Sequence, residues 1–171
     1  NYVDPTTGDT IGHGTAVAGI IAGQGIDPRG QGIAPGVVLM NAKVVASDGS
    51  ITLAGIIAAI EWAVYGPDDN LGTGDEADII NMSLGGTESY HSPTWLAIKK
   101  AAEQGILVVC AAGNEGNQGT SDERMLNSMS INDPANAMYS IAVGAVSPFL
   151  DNIEEYSSFG PTINMVVKPE I

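Results

Sequence analysis

The apolar run ILVVCAA, residues 106–112, decides the fold class of this chain. It is too short for a stable helix, and its unbroken apolar character is typical of a strand buried on both faces of a parallel sheet. Three other stretches have strand character: residues 37–45, 77–84 and 139–146. Helix signals alternate with the strands, at residues 15–22, 51–64 and 92–104. This alternation predicts an α/β fold, with a three-layer, mostly parallel sheet that carries helices on both faces.

The third helix has clear signals at both ends. Ser92 and Pro93 are expected to be its N-cap and first helical residue, and Gly105 is expected to follow its C-terminus in the left-handed conformation. The later segment at residues 117–136 has weak periodicity and is expected to be a long surface loop.

Length and composition limit the class of protein. The chain has 171 residues and is expected to form a single domain over residues 1–171. Its formal net charge of −14 repels phosphate backbones and argues against nucleic acid as a partner. No apolar run approaches the ~20 residues that span a bilayer. Cys110 is the single cysteine and is expected to be a small core residue. Because the chain starts at Asn1 and shows no signal peptide, we interpret it as a fragment or processed product.

Three separated segments carry residues suited to chemistry: residues 12–15 (GHGT), 81–86 (NMSLGG) and 111–116 (AAGNEG). Each alone has an ordinary interpretation, as a helix start, a strand end and a glycine-rich turn. Together they indicate more, because two of them follow strands, and ligands bind at the carboxyl ends of parallel strands. A histidine base, a strand edge that pairs with a peptide and a side-chain amide donor suit acyl transfer.

Longer segments resemble the subtilisin-like serine proteases. Residues 13–19 (HGTAVAG) resemble the histidine motif of that family, and residues 43–50 with 60–63 look like its substrate-edge strand and the helix that follows. Residues 81–85 and 111–116 resemble the two walls of its primary specificity pocket. The approach to the family's serine is similar to residues 141–146, 157–161 and 168–171. The resemblance covers nearly the whole chain and implies a serine endopeptidase.

The resemblance assigns roles to individual residues. His13 matches the general base, and Asn114 matches the donor to the oxyanion. Leu53 is expected to line a more distal apolar pocket. The other substrate-binding positions form two pocket walls and a strand that pairs with the substrate backbone: Ser83, Leu84 and Gly85, then Ala111, Ala112 and Gly113, and finally Gly49, Ser50 and Ile51. The implied partner is a peptide or protein substrate, and the implied location is extracellular or at the cell surface.

Two of the three triad residues have no match in the chain. The family's aspartate lies well before the histidine, whereas Asp4 and Asp9 precede His13 too closely, and Asp9 is expected to be a turn or cap residue. The Gly-Thr-Ser motif of the nucleophile is also absent. Ala16 stands where the family usually has a second histidine. The chain by itself is therefore expected to be inactive.

No cofactor is required for the implied chemistry, and no metal ligand is assigned. The acidic loop at residues 66–78 lacks the spacing of an EF-hand and is expected to be solvated. Residues 24–30 match a calcium-binding loop of some subtilisins, so a structural calcium ion is a further expectation from the resemblance. Its carbonyl ligands leave little trace in a sequence.

Three interpretations of function stay open. The first is a serine endopeptidase domain that is active in an intact parent protein. The second is a non-catalytic peptide-binding module derived from a protease, and the third is a shortened product without function. The flanking coding sequence discriminates between them, because the first requires an aspartate motif upstream and a Gly-Thr-Ser motif downstream.

Overall fold

The computed structural model describes residues 8–25, 30–86, 92–116, 129–149 and 152–171. The chain divides into two compact units, Asn1–Ala59 and Ile60–Ile171. Within the described ranges, no helix has both the length and the apolar character that crossing a bilayer requires.

Two helices organise the first unit. Helix α1 is His13–Ala22, and helix α2 is Leu53–Tyr65, whose last residues belong to the second unit. Gly23 ends α1 as predicted, since its N–H closes the last helical turn at 2.9 Å. Thr52 precedes α2, and its hydroxyl oxygen accepts a 3.1 Å bond from Gly55 N–H. Both helices therefore lie where the sequence predicts them, within two residues at each end.

The strand predicted at residues 37–45 is wrong. Only an isolated antiparallel bridge between Val45 and Ile51 occurs there. Val38 is 91% exposed, and Val37 is exposed as well. The valines favour a strand, but β-propensity reflects packing on a sheet, and no ladder flanks this segment within the described residues.

A parallel sheet of three strands forms the centre of the second unit. Strands β1 (Ile79–Met82), β2 (Leu107–Ala111) and β3 (Ile141–Val143) lie in that order. Helix α3, Thr94–Glu103, packs against β2. The parallel strands and the helices between them confirm the α/β class, here with three strands and three helices in the described part of the chain.

One face of this sheet contributes to the core. Cys110 of β2 lies opposite Met82 and Ala142, and all three are buried, as is Ile98 of α3. Burial raises the pKa of the Cys110 thiol to about 12, as expected for an inert core residue. On the alternate positions of β2, Leu107 is 44% exposed. The prediction that β2 is buried on both faces is therefore wrong within the described part of the chain.

Helix α3 begins one residue later than predicted, with Pro93 rather than Ser92 as its N-cap, at φ −57° and ψ −22°. Ser92 Oγ still accepts a 3.4 Å bond from Thr94 N–H. The signal predicted at the C-terminal end is present. Gly105 follows the helix with φ +85°, the left-handed conformation that favours glycine.

The surface loop predicted at residues 117–136 is wrong over its described part. Residues 130–137 are buried, while the first part of the segment lies outside the described residues. The buried part joins two strand ends: Asn132 N–H donates to a carbonyl just beyond β2, and Asp133 forms an antiparallel bridge with Gly86, beyond β1. Internal hydrogen bonds satisfy its polar side chains, which explains how a polar, aperiodic sequence is buried.

Candidate active site

His13 is the first residue of α1, and its side chain is exposed. The turn before it is held by the carboxylate of Asp9. That carboxylate accepts bonds from the N–H groups of Ile11, Gly12 and Thr15 at 3.0, 2.7 and 2.9 Å, and from the Thr15 hydroxyl at 2.6 Å. The hydroxyl bond, followed by the backbone bonds, holds the pKa of Asp9 well below its usual range. Asp9 is thus the turn residue that the sequence predicts. Its bonds hold the first turn of α1, which begins at His13.

The predicted substrate-edge residues Gly49, Ser50 and Ile51 lie in an exposed turn of the first unit. Gly49 has φ +84°, and Ser50 N–H donates to the Asp48 carboxylate at 2.9 Å. Gly49 N–H donates to Ala46 O and Ser50 O accepts from Ala46 N–H, both at 2.9 Å, so the turn is closed by its own backbone. Pairing of these residues with a substrate stays a prediction. Leu53 follows as the half-buried first residue of α2.

The two predicted pocket walls follow neighbouring strands of the second unit. Ser83, Leu84 and Gly85 come directly after β1, while Ala111 ends β2 and Ala112 and Gly113 continue from it. Because β1 and β2 are adjacent and parallel, the two segments lie at the same edge of the sheet.

Asn132 contacts both of these wall segments. A Cβ placed on Gly85 would lie 3.2 Å from Asn132 Cβ, and a Cβ placed on Gly113 would lie 2.8 Å from Asn132 Nδ2. Gly113 also has φ +118°, so both its backbone conformation and its surroundings require glycine. The structure therefore brings the predicted wall residues together. The Asn132 side chain lies against both walls, and the sequence pattern did not identify it.

Asn114 lies on a backbone whose neighbours are held by three hydrogen bonds. These run from Ala112 N–H to Val143 O at 2.9 Å, from Ser158 N–H to Gly113 O at 3.1 Å, and from Gly116 N–H to Tyr156 O at 3.0 Å. The Asn114 side chain is exposed and makes no hydrogen bond to any other described residue. A fixed backbone that presents an amide donor to a ligand is the arrangement an oxyanion site requires.

Glu115 is a candidate functional residue that sequence reasoning missed. Its Oε2 accepts three hydrogen bonds, from Asn114 N–H at 2.7 Å, from Asn132 Nδ2 at 2.8 Å and from Ser158 Oγ at 3.1 Å. Two of these partners are 17 and 43 residues away along the chain, so no local spacing signals the cluster. Its place beside Asn114 was the only available signal.

Asp133 is a second residue that sequence reasoning missed. Its side chain is buried, and its carboxylate accepts bonds from Ser92 Oγ at 3.0 Å, from Thr94 Oγ1 at 2.8 and 2.9 Å, and from Trp95 Nε1 at 3.0 Å. Its backbone pairs with Gly86, directly after one pocket wall. Asp133 therefore ties the start of α3 to the strand end that carries this wall.

Replacing Asp133 by alanine is expected to lower the free energy of unfolding by about 3 kcal/mol or more, because it removes charge-assisted bonds and leaves the buried Ser92 hydroxyl without its acceptor. Urea unfolding followed by circular dichroism measures this change. The control is Asp78→Ala at an exposed aspartate, which is expected to cost less than about 0.5 kcal/mol. Equal losses for the two variants would contradict the role given to Asp133.

Lys168 anchors the segment that resembles the approach to the family's serine. Its buried Nζ donates to Ser140 O at 2.6 Å and to the Glu170 carboxylate at 2.9 and 3.1 Å. Further on, Ile171 O accepts a 2.8 Å bond from Gly144 N–H, directly after β3. Ile171 therefore lies at the same edge of the parallel sheet as the two pocket walls.

His13 belongs to the first unit and Asn114 to the second, so their predicted convergence on one rim stays a prediction.

The described residues contain no group of three or more His, Cys, Asp or Glu side chains that could hold a metal ion. In the acidic loop, Glu76 accepts bonds from Thr73 and Gly74 N–H at 3.0 and 2.9 Å, so its carboxylate binds its own backbone. The middle of the predicted calcium loop, residues 26–29, lies outside the described residues.

Comparisons of the sequence with known proteins identify its family. The model of the Subtilase family matches residues 1–171. Serine protease AprX of Bacillus subtilis (strain 168) is 36% identical over 95% of this chain and 37% of its own length. Subtilisin DY of Bacillus licheniformis is 39% identical over 92% of this chain and 51% of its own length. A thermostable alkaline protease of Halalkalibacterium halodurans is 38% identical over 95% of this chain and 39% of its own length. This chain thus spans about half or less of the length of these relatives. Because the family model matches its whole length, the chain belongs to the subtilase family.

Proposed function

We propose that this chain is part of a serine endopeptidase that hydrolyses peptide bonds through an acyl-enzyme. The observation that carries the proposal is the exposed amide of Asn114, held on a fixed backbone beside two glycine-containing strand ends. Such a donor stabilises negative charge on a carbonyl oxygen, and the adjacent strand ends form the walls of a pocket for a substrate side chain.

His13 serves as the general base in this mechanism. It takes the proton of the serine hydroxyl as the oxygen attacks the substrate carbonyl, and it then gives that proton to the leaving amine. Asn114 donates to the oxyanion of the tetrahedral intermediate. Water releases the acyl group in a second round that uses the same two residues.

The serine and the aspartate are supplied by other parts of an intact parent protein. Two facts support this step: the chain spans only 37–51% of the three relatives named above, and Ile171 lies at the sheet edge that carries the pocket walls. A short continuation from Ile171 would bring a serine to that edge. The complete domain would then have the three-layer sheet with helices on both faces.

The substrate is a peptide or protein whose backbone pairs with Gly49, Ser50 and Ile51, while Leu53 lines a more distal pocket. The parent acts outside the cell or at its surface. No cofactor takes part in the chemical steps, and a calcium ion in the loop at residues 24–30 would have a structural role only.

A non-catalytic peptide-binding module is the second candidate. The observation behind it is that the glycine-containing segments after β1 and β2 lie at one edge of the sheet, where they would form a binding surface with or without a triad. The same pocket walls and exposed turn would then hold a peptide without cleaving it.

The intact parent and the 171-residue chain are expected to differ in activity. The parent should hydrolyse a peptide nitroanilide and be blocked by a fluorophosphonate, whereas the chain alone should show no turnover, because loss of a triad member leaves only residual catalysis. Release of nitroaniline measured for both proteins tests the proposal. An inactive parent that still binds the peptide would support the binding module, and fluorophosphonate-sensitive turnover by the chain alone would contradict the need for a separate serine.

A further inference from the structure

We propose that Glu115 is the positioning residue that holds Asn114 in the geometry required of an oxyanion donor. This inference rests on the proposed function, since it assumes that Asn114 acts on the oxyanion. It assigns Glu115 an effect on turnover that is exerted entirely through its neighbour.

The Glu115 carboxylate joins three segments of the second unit. Its Oε2 accepts bonds from Asn114 N–H at 2.7 Å, from Asn132 Nδ2 at 2.8 Å and from Ser158 Oγ at 3.1 Å. Hydrogen bonds to an ionised acceptor are stronger than those between neutral groups. Asn132 and Ser158 are themselves buried, so both partners hold the carboxylate in one place.

Asn114 N–H depends on this carboxylate. The neighbouring backbone groups have other partners: Ala112 N–H and Gly113 O are held by main-chain atoms, and Glu115 N–H donates to Ser158 Oγ at 3.1 Å. Within the described part of the chain, Asn114 N–H donates only to Glu115 Oε2. If the carboxylate is removed, the peptide group between Gly113 and Asn114 keeps the bond from Ser158 N–H to Gly113 O but loses the bond at its own N–H, so it is then held at one end only.

The direction of the Asn114 side chain follows from the position of this peptide group. Gly113 has φ +118° and lacks a side chain that would restrict its rotation, so the peptide after it needs an external anchor. A donor must stay within roughly 0.5 Å of its productive position, and a displacement of 1 Å can cost about 100-fold in rate. Glu115 supplies the anchor at the residue where such a displacement would affect the oxyanion most.

A double-mutant cycle in the intact parent tests this role. Glu115→Ala is expected to lower kcat by about 10- to 100-fold with little change in KM. In an Asn114→Ala background the same substitution should change kcat by less than about twofold, because the residue through which it acts is already gone. Glu115→Gln retains one acceptor oxygen and should restore part of the loss. It also provides a folded variant should Glu115→Ala not fold.

Glu103→Ala is the matched control. It removes an exposed carboxylate at the end of α3, whose partner is Lys99, and it should leave kcat unchanged.

Different failures have different signatures in this experiment. Equal losses of kcat from Glu115→Ala in both backgrounds would overturn the positioning role. An effect of Glu115→Ala that appears only in KM, or that depends on the substrate side chain before the cleaved bond, would also overturn it and would indicate direct contact with substrate. If Asn114→Ala alone leaves kcat intact, the oxyanion assignment itself fails.

Discussion

Replacing His13 by alanine in the intact parent is expected to lower kcat by about 10⁶-fold, the magnitude measured for the histidine of a subtilisin. The physical reason is that the serine hydroxyl is a weak nucleophile until a base accepts its proton. KM should change little, because His13 lies at the start of α1 and no substrate-binding role is assigned to it. Initial rates of peptide nitroanilide hydrolysis over a range of substrate concentrations separate the two constants.

The chain offers a matched control for this substitution. It contains two histidines, and the second, His91, lies outside the described residues and has no role in the proposed mechanism. His91→Ala is expected to retain the turnover of the unaltered parent. A similar loss of kcat in both variants, or an active His13→Ala variant, would contradict the assignment of the base.

Replacing Asn114 by alanine is expected to lower kcat by about 10²- to 10³-fold while KM stays nearly constant. This magnitude is the one known for the oxyanion asparagine of a subtilisin, and it corresponds to about 3–4 kcal/mol in the barrier. An oxyanion donor forms its strongest bond in the transition state, where negative charge has developed, so its loss appears in turnover rather than in ground-state binding.

Leu53→Ala provides the contrast for Asn114→Ala. A distal apolar contact stabilises the bound substrate and the transition state alike, so its loss should mainly raise KM. Steady-state kinetics of the two variants on one long peptide substrate compare these effects directly. An Asn114→Ala variant with normal kcat and a raised KM would return Asn114 to the role of a turn residue.

Local patterns in the sequence were sufficient to predict the helices and the sheet of the second unit. The apolar period of α2 reports helical spacing, and Gly105 reports the left-handed conformation after α3. Gly23 ends α1 where it was expected, with a negative φ of −52°. The three parallel strands lie within apolar runs of the sequence, which is also a local pattern. The valines at residues 37–45 failed as a signal, because a strand depends on a neighbour that a local pattern does not contain.

The candidate site was only partly predictable, because its contacts join residues that are distant in the chain. The glycine-rich segments after β1 and β2 were identified by their positions, and the structure brings them to one edge of the sheet. Asn132 and Asp133 were missed, since they lie in an aperiodic polar segment whose burial depends on partners about 40 residues away, such as Thr94. Hydrogen bonds of this kind allow polar residues to be buried without any periodic trace.

Covalent labelling of the intact parent by a fluorophosphonate tests the central claim most directly, because the reagent reacts only with a serine that a base has activated. We predict that the unaltered parent is labelled at one serine located after Ile171 in its sequence, as shown by mass spectrometry of the labelled peptides. The His91→Ala variant should be labelled equally, and labelling of His13→Ala should be abolished. Labelling of His13→Ala at the unaltered rate, or no labelling of the folded parent, would contradict a serine peptidase in which His13 is the base.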